Sequence, residues 1–184
     1  MASFVVIYDA NVLYPSLLRD LLIRVAQAGL VRARWTDEIL DEVFRNLVED
    51  RPDLDPDRLA RTRTLMNQAI RDVLVTGYEP LTGVVDLPDP DDRHVVAAAI
   101  KVGAQTIVTN NVRDFPRDGL ARWHIEARRA DEFLHSMVDL NPEIVFGEVQ
   151  RIADSKKRPP MDLDEVLAAL HNQGLIETVA ALRS

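Results

Sequence analysis

The sequence has 184 residues, of which 47% are hydrophobic, and a formal net charge of -8 at pH 7. This length and composition predict one globular domain with a hydrophobic core, with room for a small appendage. The absence of cysteine excludes disulfides, cysteine nucleophiles and thiolate metal sites. No apolar run approaches the roughly 18 residues of a membrane span, and no secretory signal is visible, so we expect a cytoplasmic protein without membrane association. The negative charge argues against binding nucleic acid through bulk electrostatics, but it is compatible with a nucleic-acid enzyme whose site is built of carboxylates.

The first predicted strand is the apolar run at residues 4–7, which leads directly into Asp9-Ala10-Asn11. A carboxylate at the end of a buried strand is costly unless a cation or a hydrogen-bond donor meets it. Ligands of open α/β sheets bind outside the carboxyl ends of the strands. Asp9 is therefore the first candidate functional residue.

The next elements alternate between helix and strand. Helical spacing predicts one helix over residues 11–28 that ends at Gly29, followed by a strand over residues 30–35. Thr36 is a good N-cap for the following helix, which carries Glu42. The Asp-Pro pair at residues 55–56 predicts the start of another helix that runs to about residue 74. A loop over residues 77–88 follows, with a short strand at residues 84–85.

The second half begins with an apolar helix that Asp89 caps and Gly103 ends. Residues 105–109 then read as a buried strand and residues 124–126 as an edge strand. This alternation predicts an α/β fold, a parallel sheet with helices on both faces. The rest of the chain is predicted to be all helical, with helices over 131–138, 142–153, 162–170 and 174–182 and a linker at 155–160. We divide the chain into a sheet domain, residues 1–135, and a helical extension, residues 136–184.

Acidic and amide side chains recur where these elements meet one side of the sheet. They are Asp9, Glu42, Asp92, and the trio Asn110, Asn111 and Asp114. Hard divalent ions such as Mg²⁺ prefer oxygen ligands and are bound by a few carboxylates together with substrate phosphate. Such an ion can activate water and neutralise the charge that builds on a scissile phosphate.

Four segments in this order resemble the PIN-domain ribonucleases, especially the VapC-type toxins of toxin–antitoxin pairs. The segments are YDANVL at 8–13, TDEILDEVFRNL at 36–47, DPDDRHVVAAAI at 89–100 and TIVTNNVRDF at 106–115. The resemblance covers residues 4–135 and implies a PIN-like fold and a Mg²⁺- or Mn²⁺-dependent endoribonuclease that cleaves single-stranded RNA. It also implies a cognate antitoxin and a homodimer.

The resemblance assigns roles to individual residues. Asp9, Glu42 and Asp92 would be metal-binding carboxylates, Asn11 would orient Asp9, and Thr109 would line the site. Many relatives carry an acid at the position of Asn111. Asp114 is expected to compensate as the further catalytic and metal-binding acid, as in one branch of the family.

Other polar residues have weaker assignments. Arg93 and Arg113, beside the motif residues, are candidates for holding RNA phosphates, although salt bridges are the alternative. We expect the four histidines, His94, His124, His135 and His171, to be surface or interface residues, with His94 a candidate for substrate contact. Asn110 and Asn111 are also typical turn residues.

Two rival enzymes fit the sequence less well. A phosphatase with an aspartyl nucleophile would want a second acid two residues after the first, where this chain has Asn11. A dinucleotide-binding domain would want glycines after the first strand. The remaining alternative is a catalytically inactive PIN fold that serves as a partner-binding scaffold, which the amide at Asn111 favours.

We also expect the C-terminal helices to form a small cap or a dimer surface.

Overall fold

The computed structural model describes residues 4–184 of the chain. Four short strands form a parallel sheet in the order β2-β1-β3-β4, and they are Val5–Tyr8 (β1), Arg32–Arg34 (β2), Thr106–Val108 (β3) and Glu126–Arg128 (β4). The α-helices are Ala10–Leu13 (α1), Ser16–Gln27 (α2), Asp37–Asp50 (α3), Pro56–Ala69 (α4), Arg93–Val102 (α5), Arg117–Ala121 (α6), Ala130–Leu140 (α7), Pro142–Ser155 (α8), Leu163–Asn172 (α9) and Ile176–Arg183 (α10). The predicted parallel sheet flanked by helices, with further helices at the C-terminal end, is confirmed.

The core forms where the sheet meets its helices. Helix α5 packs against β1 and β3, and α2 packs against β2. Tyr8 and Trp35 are fully buried, and each satisfies its polar atom: the Tyr8 hydroxyl donates to Leu22 O (2.9 Å) and Trp35 Nε1 donates to Asn67 Oδ1 (2.9 Å). These hydrogen bonds let two large aromatic side chains enter the core without an unpaired polar group.

Two predicted helices are shorter than expected because the backbone has other partners. Pro15 is extended (φ -69°, ψ 123°) and has no N–H to donate, so the single helix expected over 11–28 is divided into α1 and α2. Helix α4 ends at Ala69 because the chain beyond it joins the edge of the sheet. There Trp35 N donates to Val73 O (3.0 Å), and Val75 N donates to Trp35 O (2.8 Å).

Two strand predictions also differ. The strand expected at residues 84–85 is wrong, because Glu79–Val84 forms a 3-10 helix in which Thr82 Oγ1 donates to Glu79 O (2.7 Å). Local turn chemistry here outweighs the β preference of the two valines. The edge strand lies two residues later than expected, since His124 has a left-handed φ of 55° and β4 starts at Glu126.

The C-terminal helices pack onto the sheet domain through two acidic side chains. Asp131, at the start of α7, accepts hydrogen bonds from Thr178 N (2.9 Å), Thr178 Oγ1 (2.7 Å) and Glu177 N (3.0 Å) of α10. Glu148 on α8 is buried, forms an ion pair with Arg151 and lies 3.8 Å from Arg24 Nη1 of α2. Helix α7 spans the boundary that we placed at residue 135. Over residues 4–184, no helix combines the length and the apolar character that crossing a membrane requires.

Candidate acidic site at the carboxyl edge of the sheet

Asp9 lies at the carboxyl end of β1, where the backbone turns into α1. Its N–H still belongs to the sheet and donates to Val108 O (3.0 Å), while its carboxylate caps α1 by accepting from Ala10 N (2.8 Å). The other carboxylate oxygen accepts from Asn11 Nδ2 and Thr109 Oγ1, both at 2.9 Å. Asp9 is only 5% exposed. Its side chain is therefore held in one orientation by both neighbouring strand ends.

Thr109 and Asn11 form the frame around this carboxylate. Thr109 is fully buried, and its hydroxyl accepts from Asn11 Nδ2 (2.9 Å) and from Asn111 N (3.1 Å) while it donates to Asp9. Asn11 Oδ1 accepts from Asn110 N (2.8 Å). The structure thus brings Asp9, Asn11 and Thr109 into direct contact, whereas Asn111 contributes its backbone and leaves its side chain exposed.

Three other carboxylates lie near Asp9, and their negative charges meet at Asp92. Burial raises the pKa of Asp9 despite the hydrogen bonds from Ala10 and Thr109 that oppose the change. Burial and the nearby charge of Asp9 raise the pKa of Glu42. Burial also raises the pKa of Asp92 to about 7, and the negative charges that add to this are those of Asp9, Asp89, Asp114 and Glu42. We call Asp9, Glu42, Asp92 and Asp114 the acidic cluster.

The acidic cluster has no counterion among the described residues. The ion pairs within residues 4–184 include none that involves a member of the cluster, and the cationic influence felt at both Asp9 and Glu42 comes from His94. Four uncompensated oxygen donors are the chemistry of a site for a hard divalent cation. In the part of the chain that the structure describes, no three acidic or histidine side chains converge tightly enough to hold an ion as they stand. The donor set fits such a cation, and its members would have to draw together around it.

The polar residues that follow β3 differ in their contacts and in their exposure to solvent. Asp114 lies at the end of a 3-10 helix, Val112–Asp114, that carries it back towards Asp92, whereas Arg113 is exposed. Asn110 does more than form a turn: its Oδ1 accepts from Ala130 N (3.1 Å), and its carbonyl accepts from Arg129 Nη1 (3.1 Å). The loop of the acidic cluster is thereby joined to the start of α7.

Two further side chains, His94 and Glu38, lie beside the acidic cluster. His94 is partly buried, with its side chain 14% exposed, and its Nδ1 lies 3.8 Å from Glu38 Oε2. The other three histidines are exposed or half-buried. Sequence reasoning did not include Glu38, although it precedes Glu42 by four residues on α3 and so shares its helix face. Asp89 caps the 3-10 helix Pro90–Asp92 by accepting from Asp91 N (2.9 Å), as predicted.

Comparisons with known proteins match both parts of the chain. The family described as "PIN domain" matches residues 5–113, and the family described as "VapC50 C-terminal domain" matches residues 130–184. A protein of Mycobacterium tuberculosis (strain ATCC 25618 / H37Rv), "Putative ribonuclease VapC50", is 38% identical over 82 residues. The match covers 45% of this chain and 48% of that protein, so it spans about half the length of the relative. No solved structure matches the chain.

Proposed function

Because the chain belongs to the PIN-domain family, we propose that it is a metal-dependent endoribonuclease that cleaves single-stranded RNA. The observation that carries this proposal is the acidic cluster, whose mutual repulsion no ion pair among residues 4–184 relieves. The similarity to a relative whose name includes ribonuclease supports the reaction type. A network of carboxylates is also the donor set that phosphodiester hydrolysis with Mg²⁺ or Mn²⁺ requires.

The proposed metal ligands are Asp9, Asp92 and Asp114, with Glu42 beside them. A bound divalent cation supplies Lewis-acid stabilisation of the phosphate charge and lowers the pKa of water. Asn11 and Thr109 hold the Asp9 carboxylate in place before any substrate arrives, so little ordering remains to be done on binding. The other carboxylates of the cluster would have to move towards Asp9 to share one ion.

The remaining residues handle the substrate and its protons. Burial raises the pKa of Glu42 above that of an ordinary carboxyl group, which makes this side chain a stronger base for a proton released by attacking water. Arg113, exposed on the rim, holds a phosphate that flanks the cleaved bond, and Arg93, next to Asp92, is a second candidate for contact with the RNA.

The test is cleavage of labelled total RNA by the purified full chain with Mg²⁺, Mn²⁺ or EDTA. Asp9→Asn and Asp92→Asn should abolish metal-dependent cutting. Glu42→Gln should weaken it, and Glu49→Gln is its matched control because Glu49 is an exposed acid farther along the same helix. Cutting that survives in EDTA or in both aspartate variants would contradict the proposal. Calorimetric Mn²⁺ binding without RNA cleavage would indicate the inactive scaffold instead.

The resemblance to VapC toxins supports a wider role. We infer that the protein is the toxin of a pair, that a cognate antitoxin protein inhibits it, and that it forms a homodimer. Induced expression should arrest bacterial growth, and Asp92→Asn should relieve the arrest. Light scattering of the purified chain should give twice the monomer mass of 20.7 kDa. A monomer, or an Asp92→Asn variant as harmful as the parent, would contradict the respective inference.

The C-terminal helices are proposed to stabilise the nuclease domain as a packed extension or to complete its dimer surface. Deletion of residues 155–184 removes α9 and α10 and exposes the apolar faces of α7 and α8. The truncated chain should lose stability or change its oligomeric mass. Unchanged size, stability and activity would contradict a role for these helices.

A further inference from the structure

A cavity of about 360 Å³ opens beside the acidic cluster. It lies between the start of α3, the 3-10 helix Glu79–Val84 and the start of α5, and its lining includes Glu38, Thr82, Gly83, Asp91, Arg93 and His94. Asp92 of the acidic cluster stands between two lining residues in the chain. The cavity therefore adjoins the place where a phosphate of a bound RNA would sit.

Two polar atoms of the lining residues have no partner. Arg93 Nε and His94 Nδ1 are buried, and neither forms a hydrogen bond within residues 4–184. Among the described residues, the third buried side-chain atom of this kind is Trp123 Nε1. Native proteins leave few buried polar groups unpaired. Because Arg93 Nε and His94 Nδ1 are closed off from solvent, they mark incomplete hydrogen bonding in the wall of the cavity and not a surface that a ligand touches.

The cavity also offers a carboxylate that is held in place and still free to accept. Glu38 is 52% exposed, and its Oε1 accepts from the Tyr78 hydroxyl (2.6 Å), which orients the carboxylate. Glu38 Oε2 forms no hydrogen bond with the described residues, since its distance of 3.8 Å from His94 Nδ1 is too long for one. The site thus combines a fixed acceptor, Glu38, with a cationic donor, Arg93.

This combination is selective among the nucleobases. Arginine pairs with the O6 and N7 acceptors of guanine, and carboxylates accept from base N–H groups. Guanine is the base that carries two adjacent N–H donors, N1–H and N2–H, on the same edge as an acceptor oxygen. Adenine and cytosine present a single amino group there, and uracil a single imino N–H. An acid and an arginine together therefore favour guanine.

We propose that this cavity is a guanine-binding subsite, which receives the base of a nucleotide next to the cleaved bond. The inference rests on the proposed ribonuclease function and adds a sequence preference to it. Glu38 accepts from the guanine N–H groups, Arg93 donates to its acceptor atoms, and Gly83 leaves room for the planar ring. A Cβ at Gly83 would meet no atom within 4 Å, and its φ lies outside the left-handed region, so a side chain there can be added without disturbing the fold.

The first experiment measures binding without catalysis. Saturation-transfer NMR of the full chain in EDTA, with guanosine, adenosine, cytidine and uridine as probes, should show guanosine binding about tenfold more tightly than the others. Glu38→Gln and Gly83→Leu should each remove this preference, the first by losing an acceptor and the second by filling the cavity. Glu79→Gln is the matched control, because Glu79 is an exposed acid on the neighbouring 3-10 helix that does not line the cavity. Thermal unfolding of each variant confirms that it folds.

The second experiment maps the cleavage sites on RNA oligonucleotides that differ in the bases flanking one position. Cleavage should concentrate next to guanine, and Glu38→Gln should spread it across other sites. Equal binding of the four nucleosides, or a preference that both variants retain, would overturn the guanine subsite. Guanosine binding by a protein that cuts no RNA would contradict the ribonuclease proposal and leave the subsite standing. RNA cleavage without any guanine preference would overturn the subsite alone.

Discussion

Two buried carboxylates of this protein are nearly equal in exposure and opposite in their surroundings. Glu148 is 7% exposed and Asp9 is 5% exposed. Glu148 lies between two arginines, Arg24 and Arg151, where α8 packs on α2. Asp9 has hydrogen-bond donors but no ion-pair partner among the described residues, and its own charge raises the pKa values of Glu42 and Asp92. Burial alone therefore does not separate the structural acid from the acid that we propose to be functional, and the difference between them is the presence or absence of an ion-pair partner.

The presence or absence of an ion-pair partner predicts whether each acid contributes to stability or to activity. An ion pair that is complete within the chain stabilises the packing of two helices. A cluster without an ion-pair partner costs stability in the free protein, which agrees with the proposal that a cation binds there. Exchanging each acid for its amide should therefore affect different measurements at the two places.

The largest effect is expected for Asp9→Asn, which should lower RNA cleavage with Mg²⁺ by about 100-fold or more, because a fixed metal ligand is lost. The free energy of unfolding without metal should change by less than about 1 kcal/mol, since removal of a buried charge offsets the hydrogen bond that the amide nitrogen of asparagine cannot accept. Cleavage kinetics and chemical denaturation in EDTA measure the two quantities. A variant with normal cleavage, or one that is strongly destabilised, would remove the contrast with Glu148.

Glu148→Gln should show the reverse. It leaves Arg24 and Arg151 without their acid and should lower the free energy of unfolding by about 2 kcal/mol, less than for a fully buried pair because both arginines can reach water. RNA cleavage well below the melting temperature should stay within about twofold of the parent. Glu143→Gln, an exposed acid on the same helix, is the control. If Glu148→Gln abolished cleavage without unfolding, the acid would not be structural.

Asp114→Asn should lower cleavage by about tenfold and raise the Mg²⁺ concentration needed for half-maximal activity, because one charge of the cluster is lost. Combining it with Asn111→Asp should recover part of the loss, since an acid two residues after Thr109 restores the charge at the edge of the sheet. Metal titrations of the two variants provide the measurement. No loss in the single variant would remove Asp114 from the metal site.

The smallest effect concerns pH. The pKa of Asp92 is about 7 in the folded protein and about 4 in an unfolded chain. Between these values the folded state keeps a proton that the unfolded state releases, so its contribution to stability is present at low pH and is lost as the pH rises through 7. Since Asp92 is partly exposed, we expect about 1 kcal/mol between pH 5 and pH 8 in EDTA.

Denaturation of the metal-free protein at several pH values tests this expectation. Asp92→Asn should flatten the dependence, and Mg²⁺ should restore stability at pH 8 by binding the folded state alone. A slope of the opposite sign would show that the acidic cluster does not repel the Asp92 carboxylate.

The sequence alone predicts the parallel sheet and the positions of its helices well, because hydrophobic periodicity and capping residues act locally. Thr36 caps α3 and Gly103 ends α5, as expected. The errors arise where distant backbone contacts decide the conformation. Residues 73–75 contain apolar positions that fit a helix, but they pair with Trp35, which lies about forty residues earlier. No local pattern contains that information.

The candidate site also has a part that the sequence predicts and a part that it does not. The four motifs and the family resemblance predict the acids Asp9, Glu42, Asp92 and Asp114. The resemblance adds Asn11 and Thr109 as supporting residues. The cavity beside them could not be predicted, because it depends on how the 3-10 helix Glu79–Val84 approaches α3 and α5. Glu38 and His94 then become neighbours although 56 positions of the chain separate them.

The hydrogen bond from Thr109 to Asp9 joins residues that are 100 positions apart. During synthesis, a ribosome adds roughly 5–20 residues each second, so several seconds pass between the two. Until Thr109 and β3 emerge, Asp9 lacks both the strand beside it and the hydroxyl that orients its carboxylate. Incomplete products that stop before this point cannot assemble the acidic edge. Fragments that end before Thr109 should therefore lack the activity that we propose for the complete acidic edge.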